Sequence, residues 1–460
     1  MLLSKSVGRT PRLRYLISYY TEVIAPMIVA FDGPSNPFRV HILRLAREKD
    51  EGQCAFSVTE IALEEQQHRG RAVRALNAEL ADPSQRLSDS VLATLLMLCL
   101  FHVCDTGVAQ FHTQFAGVTK LLALRMRTPQ CMTDDLKWFI RMFTWFDTMT
   151  ATTNDRESHL RGICLDITSV SDGDWGLEDM AGCDPSLFRL VAQLGRLNLL
   201  SQRQAPQAPA VPEMLASLPP QGVSAIPGGG VPVVDTFGLP LATPPRADET
   251  PSPRPSSPAF WTDWFSLRQK LEAWQYLPPG NISFSTGITT STTNTPAYIS
   301  PPSSPSSPCV VPQQYEEIRH VSEAFRHAAI LYSERLAYPE LPSRHPRIQN
   351  HVQIAMQHIT TVQSDAYLLW PLFIAGSESV LASQHDVIRQ RCRDLSRDSG
   401  FYNNLSCLEL LEKIWAGPGP GTGTGTGTGT WTGASGLRDS GFRWQQAMRD
   451  KRADGEYMVV

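Results

Sequence analysis

Two pairs of histidines, His320/His327 and His351/His358, repeat at seven-residue spacing. Imidazole is the side chain best suited to bind a metal or to move a proton near neutral pH. Seven residues are two helical turns, so each pair shares one helix face with its rings about 10 Å apart. Zinc holds its nitrogen ligands at about 2.0–2.1 Å, so neither pair can share one ion within its own helix. They read as structural or surface histidines. Asp147, Asp155, Arg156 and Glu157 gather charge after an aromatic stretch, and helix-end capping with ion pairing accounts for them.

The Gly-x-Gly matches between Gly417 and Gly433 belong to a Gly-Thr repeat. No strand precedes them and no phosphate-facing helix follows, as a nucleotide fingerprint needs. The Walker lysine, the His-Glu-x-x-His signature and the Gly-x-Ser-x-Gly elbow are absent from the sequence. Nothing assembles a nucleophile, a base and an orienting group. The expectation is therefore no enzyme, no cofactor, and no catalytic, cofactor-binding or metal-ligating residue.

Nine cysteines lie scattered at 54, 99, 104, 131, 164, 183, 309, 392 and 407. None forms Cys-x2-Cys, which argues against a zinc site and a disulfide framework and for buried free thiols in a reducing compartment. With 41 basic against 45 acidic residues the net charge is −4, which argues against a globally basic nucleic-acid binder. Lys5, Arg9, Arg12 and Arg14 could neutralise about four phosphates at most, enough only for weak, salt-sensitive attachment. They read better as the solvated start of a helix. The N-terminus has no apolar signal core. The longest apolar run, Val91 to Cys104, falls short of the roughly 20 residues of a membrane span. A soluble intracellular protein without a membrane partner is expected.

The elements that would position these groups are helices. Leu13, Leu16, Ile17, Tyr20 and Ile24 keep helical spacing, Asp32-Gly33-Pro34-Ser35 breaks it, and Phe38, Ile42 and Leu45 resume it. Residues 55–80 are a further helix. An αα-hairpin follows: Ser88 or Asp89 caps Val91–Val103, Asp105-Thr106-Gly107 ends it, and Val108–Leu124 returns. Asp134-Asp135 opens a helix rich in Trp, Phe and Met that is apolar nearly all round, hence central. Asp184 with Pro185 starts another over 184–201.

Of the 35 prolines, 21 lie between 201 and 310. Thr243, Thr250, Ser252, Ser257, Thr295, Ser300, Ser304 and Ser307 each precede one, so the segment reads as a linker that proline-directed kinases could load with charge. An island with Trp261, Trp264, Leu267, Leu271 and Trp274 interrupts it at helical spacing. Further stripes occupy Tyr315–Leu336, Pro346–Ile359, Asp365–Leu381, His385–Ser396, Asn403–Trp415 and Phe442–Asp450. The expected fold is all-α, a multi-helix bundle of two helical halves with a long disordered Pro/Ser/Thr-rich insertion. Its expected divisions are 1–202, the N-terminal half; 203–258, a Pro-rich linker; and 259–278, a Trp-rich helix docked on the core. A second linker, 279–312, precedes the C-terminal half, 313–416, then a Gly-Thr tract, 417–441, and a terminal helix and tail, 442–460.

The order of these segments resembles the regulatory domain of fungal zinc-cluster transcription factors, of the fungal-specific transcription factor domain 2 type. LRYLISYYTEVIAPMIVAFDGPSNPFRVHILRLA resembles the start of that domain. SVLATLLMLCLFHVCDTGVAQFHTQFAGVTKLL matches its hairpin, with Gly117 and Leu121-Leu122 in the Gly-x-x-x-Leu-Leu places. FTWFDTMTATTN, WFSLRQKLEAWQYLPP, YLLWPLFIAGSES, LELLEKIWA and WQQAMRD follow in the family's order. The likeness spans about 12–200 and 260–460.

It implies a nuclear transcription regulator whose all-α domain receives a small-molecule or protein signal in RNA polymerase II transcription. Implied partners are the transcription machinery or co-regulators, a homo- or heterodimer mate and a small-molecule effector. The family's DNA-binding head is an N-terminal six-cysteine zinc cluster, but no Cys precedes Cys54 here. Zinc is expected only where such a cluster exists, and DNA is reached only indirectly or through it. The alternative is a head-less partner that dimerises with or sequesters zinc-cluster factors without binding DNA.

Overall fold

The computed structural model describes residues 11–48, 61–126, 133–154, 156–159, 176–202, 257–277, 313–362, 368–416, 444, 447–448 and 455–459. Both linkers but for Ser257 and Pro258, the Gly-Thr tract, Lys5, Arg9 and Asp155 lie outside the described residues.

The described chain is all-α. Its elements are α1 (Pro11–Tyr19), α2 (Ala25–Met27), α3 (Leu43–Glu48), α4 (Ile61–Ala81), α5 (Asp89–Asp105), α6 (Phe111–Arg125) and α7 (Asp134–Thr153). There follow α8 (Leu177–Ala181), α9 (Pro185–Val191), α10 (Leu194–Gln202) and α11 (Pro258–Ala273). The last five are α12 (Gln313–Ala337), α13 (Pro346–Thr361), α14 (Leu369–Glu378), α15 (Ala382–Ser399) and α16 (Asn403–Ala416). The two-residue strands β1 (Val108–Ala109) and β2 (Glu456–Tyr457) pair antiparallel.

Local chemistry sets the helix ends. Ser88 Oγ accepts from Val91 N at the start of α5, Thr133 Oγ1 from Leu136 N at α7, and Asp184 from Ser186 and Leu187 N at α9. The expected helix over 184–201 is two helices. The Ala192 amide still reaches Phe188 O at 2.9 Å, but the Gln193 amide turns back to Leu190 O, a tighter turn that breaks the ladder and redirects α10. The first stripe is likewise interrupted, by π turns at Tyr20–Ile24 and Phe38–Ile42.

The core is one continuous apolar cluster. α7 lies inside it, with every residue from Trp138 to Thr153 buried. Phe115 meets Phe143 edge-on, Trp145 stacks on Phe188, and Phe325 stacks on Trp370. These contacts join α7 to α6 and α9, and α12 to α14. Residues Phe260, Trp264, Leu267 and Leu271 of α11 are buried in the same cluster. Trp264 Nε1 donates to Ser333 O, and Trp274 Nε1 to Ser186 Oγ.

The chain's end is threaded into this core. Tyr457 is 1% exposed. Its amide donates to Asn154 Oδ1, its carbonyl accepts from Thr153 Oγ1 and Asn154 Nδ2, and its hydroxyl donates to Asn403 O. One residue thereby joins the end of α7 to the start of α16. Gly107 is required where β1 begins: its φ is +73°, and a Cβ there would stand 2.7 Å from the Tyr457 ring.

Candidate functional site

A groove of about 440 Å³ opens where α3, α4 and α5 diverge. Ala93, Met97 and Phe101 of α5 form its floor, Ile42, Leu45 and Ala72 its walls, and His68 and Arg69 its rim. The floor is apolar because successive turns of α5 present one stripe to it. The neighbouring polar groups are partly spent, since Thr94 Oγ1 donates to Ser90 O at 2.7 Å. Arg69 is held above the floor with its guanidinium 5.2 Å from the Phe101 ring centre and a nitrogen 3.4 Å from His102 Nε2. Burial, then the Arg69 charge, hold the His102 pKa below its ordinary value. The site can take an apolar body and place an anionic group at its rim. A second cavity, between Phe146 of α7 and Phe401 and Asn403 beside α16, measures only about 40 Å³, room for water rather than a ligand.

The sequence offers no lining residue for either cavity, because the walls come from three separate stripes. It does offer charged residues and histidines, and the structure sorts them. Asp147 is fully buried and accepts from Arg156 at 2.7 Å and from the His159 ring at 2.8 Å. Burial pushes its carboxyl up, but the His159 hydrogen bond and the Arg156 charge outweigh that and leave the pKa low. Arg156 also reaches Glu456 at 3.3 Å, so this cluster fastens the tail to α7. It is a structural lock.

The histidines are brought together in a way their spacing within one helix does not reveal. α12 and α13 pack antiparallel, and both carry imidazoles seven residues apart on the facing sides. His320 therefore meets His358, with Nδ1 atoms 2.8 Å apart, and His327 meets His351 at 3.0 Å. The equal spacing on two successive stripes is the available signal. At the far end of α12, buried Glu334 accepts from Arg268 of α11 at 2.6 Å and from Arg347 of α13 at 3.0 Å. Arg335 pairs with Glu378 in full burial, and Ser343 Oγ donates to the same carboxylate at 2.7 Å.

Of the Ser-Pro positions, Ser257 is described: its Oγ accepts from Phe260 N and caps α11. Cys99, Cys104, Cys183 and Cys392 are free thiols, and burial pushes Cys99 up to about 12. No described helix is long and apolar enough to cross a membrane.

No curated protein and no solved structure matches the chain. The family model described as the fungal specific transcription factor domain matches residues 14–454, nearly its whole length. That family implies regulation of transcription, a nuclear setting and a non-enzymatic role. The chain belongs to the fungal specific transcription factor domain family.

Proposed function

We propose that this chain is an effector-response domain controlling RNA polymerase II transcription, and that its effector enters the groove between α3, α4 and α5. The observation that carries this reading is the groove itself. Its volume, about 440 Å³, falls in the range of about 300–1,000 Å³ typical of small-molecule sites. An apolar floor beneath a cationic rim selects an amphipathic molecule with an acidic group.

The floor helix, α5, offers a route outward. It packs on α7 and α16, and Cys104 O near its end accepts from Tyr402 N at 2.9 Å. Gly107 O, just beyond, accepts from Met458 N in the tail. A ligand that shifts α5 thus reaches both proposed halves, 1–202 and 313–416, and the tail between them. The signal leaves as altered contact with co-regulators or transcription machinery, and DNA is reached through another segment or partner.

The test is a titration of the full chain with 8-anilinonaphthalene-1-sulfonate, an aromatic anion suited to such a groove. Near-UV circular dichroism verifies that the chain is folded. Saturable binding at one site per chain, weakened at least tenfold by Ala93→Trp and less by Arg69→Ala, supports the assignment. Binding that Ala93→Trp leaves unchanged refutes it.

A further inference from the structure

The facing histidines form a seam whose protons can be assigned. His320 Nε2 lies 3.2 Å from an Arg319 nitrogen, and His327 Nε2 lies 3.1 Å from an Arg326 nitrogen. Guanidinium nitrogens only donate, so each Nε2 accepts and the proton of each neutral ring sits on Nδ1. His320 Nδ1–H then donates to His358 Nδ1. In the inner pair, His351 Nε2 in turn lies 3.5 Å from an Arg268 nitrogen, so Nε2 of both rings faces a guanidinium. In the outer pair, one proton lies between two nitrogens, both of which would be lone-pair donors once it left.

Two imidazole nitrogens presented by neighbouring helices are the donor set that borderline dications prefer. With metal–nitrogen bonds of about 2.0–2.1 Å, a tetrahedral ion spreads its two nitrogens to about 3.3 Å. The His320–His358 pair would have to open by about half an ångström from 2.8 Å, which side-chain rotation can supply. The local charges separate the two pairs. The inner pair faces three guanidinium groups, Arg326, Arg268 and Arg347, against the carboxylates of Glu272 and Glu323, and so opposes a further cation. The outer pair has Arg319 beside it, with Arg326 also facing His358, against the carboxylates of Glu316 and Glu323.

We propose that His320 and His358 form a bis-imidazole binding site for a divalent transition-metal ion of the Zn²⁺, Ni²⁺ or Cu²⁺ class, which fastens α12 to α13. Binding breaks the Nδ1–H···Nδ1 hydrogen bond and makes two metal–Nδ1 bonds. The His320 proton moves to Nε2, so the ring stays neutral. Arg319 gives up that nitrogen and keeps Glu316, which it already holds at 2.6 Å. Water completes the coordination, because no group of three or more His, Cys, Asp or Glu among the described residues is placed to hold a metal ion.

The test is calorimetric titration of the full chain with Ni²⁺, and electron paramagnetic resonance of the chain with one equivalent of Cu²⁺. The expected result is one tight site per chain, weakened at least tenfold by His320→Gln and by His358→Gln and unchanged by His112→Gln, whose ring is exposed and lies outside the groove. The Cu²⁺ spectrum of the unaltered chain should carry splitting from two imidazole nitrogens, a readout that does not depend on the variants folding. The proposal is overturned if the unaltered chain takes up no ion, if either histidine can be replaced without loss of affinity, or if the spectrum shows fewer than two nitrogens.

Discussion

α7 and α12 are both buried along most of their length, yet they are buried by different physics. α7 fills its surroundings with Trp138, Phe139, Phe143, Trp145, Phe146 and Met149, and Thr144 and Thr150 return their hydroxyls to the helix's own carbonyls. Asp147, its buried acid, is matched by Arg156 and His159. α12 instead takes His327, Glu334 and Arg335 into the interior and must find a partner for each on α11, α13, α14 or the connecting loop. Apolar burial tolerates any arrangement that fills the space. Paired buried polar groups tolerate one arrangement, so α12 and its neighbours lock in a single register at the cost of sensitivity to charge.

The largest effects should come from breaking each kind of burial. Glu378→Ala strands the Arg335 guanidinium, which is fully buried, and should cost about 3–5 kcal/mol in urea unfolding. Trp145→Ala in α7 should cost a similar 3–5 kcal/mol through the cavity it leaves. The comparison sharpens in the double variant Arg335→Met/Glu378→Leu. Removing both charges should recover most of the loss, whereas no second truncation around Trp145 will.

A change of pH should separate the two regions next. Burial first, then the Arg326 charge, lower the His327 pKa to about 3; burial, then Arg268, lower His351 to about 4. His358 and Arg268 also face His327, and Arg347 and Glu272 face His351. A depressed histidine pKa means that the fold favours the neutral ring. That stabilisation is complete above about pH 6.5 and is lost as pH falls toward the folded-state values. Each of the two histidines should contribute a slope of up to about 1.4 kcal/mol per pH unit between pH 6.5 and 5. Hydrogen exchange should show α12 and α13 losing protection over that window while α7 holds. Equal loss in both would contradict the distinction.

A smaller effect tests the tail. Gly107→Ala forces a left-handed backbone on a residue with a side chain and pushes it into the Tyr457 ring. It should cost about 1–3 kcal/mol, and limited proteolysis should release the C-terminal residues first.

Much of this architecture is legible in the amino-acid sequence. The caps at Ser88 and Asp184, the turn at Gly107 and the apolar character of α7 follow from residue types and spacing, because each depends on neighbours in sequence. α8 is not legible, because five residues are too short to show a period. Nor is the pairing of β1 with β2, whose partners Val108 and Tyr457 are far apart in the chain. The same limit hides the groove and the facing histidines. His320 and His327 are too far apart to act together within α12, and the partner of each lies on the next helix.

The most direct test of the functional account fuses the full chain to a DNA-binding domain of known specificity and measures a reporter in fungal nuclei. The account predicts output several-fold away from that of the DNA-binding domain alone, with Ala93→Trp in the groove removing most of the difference. Output equal to the DNA-binding domain alone would contradict a regulatory role, and a full effect that Ala93→Trp leaves intact would contradict the groove as its control point.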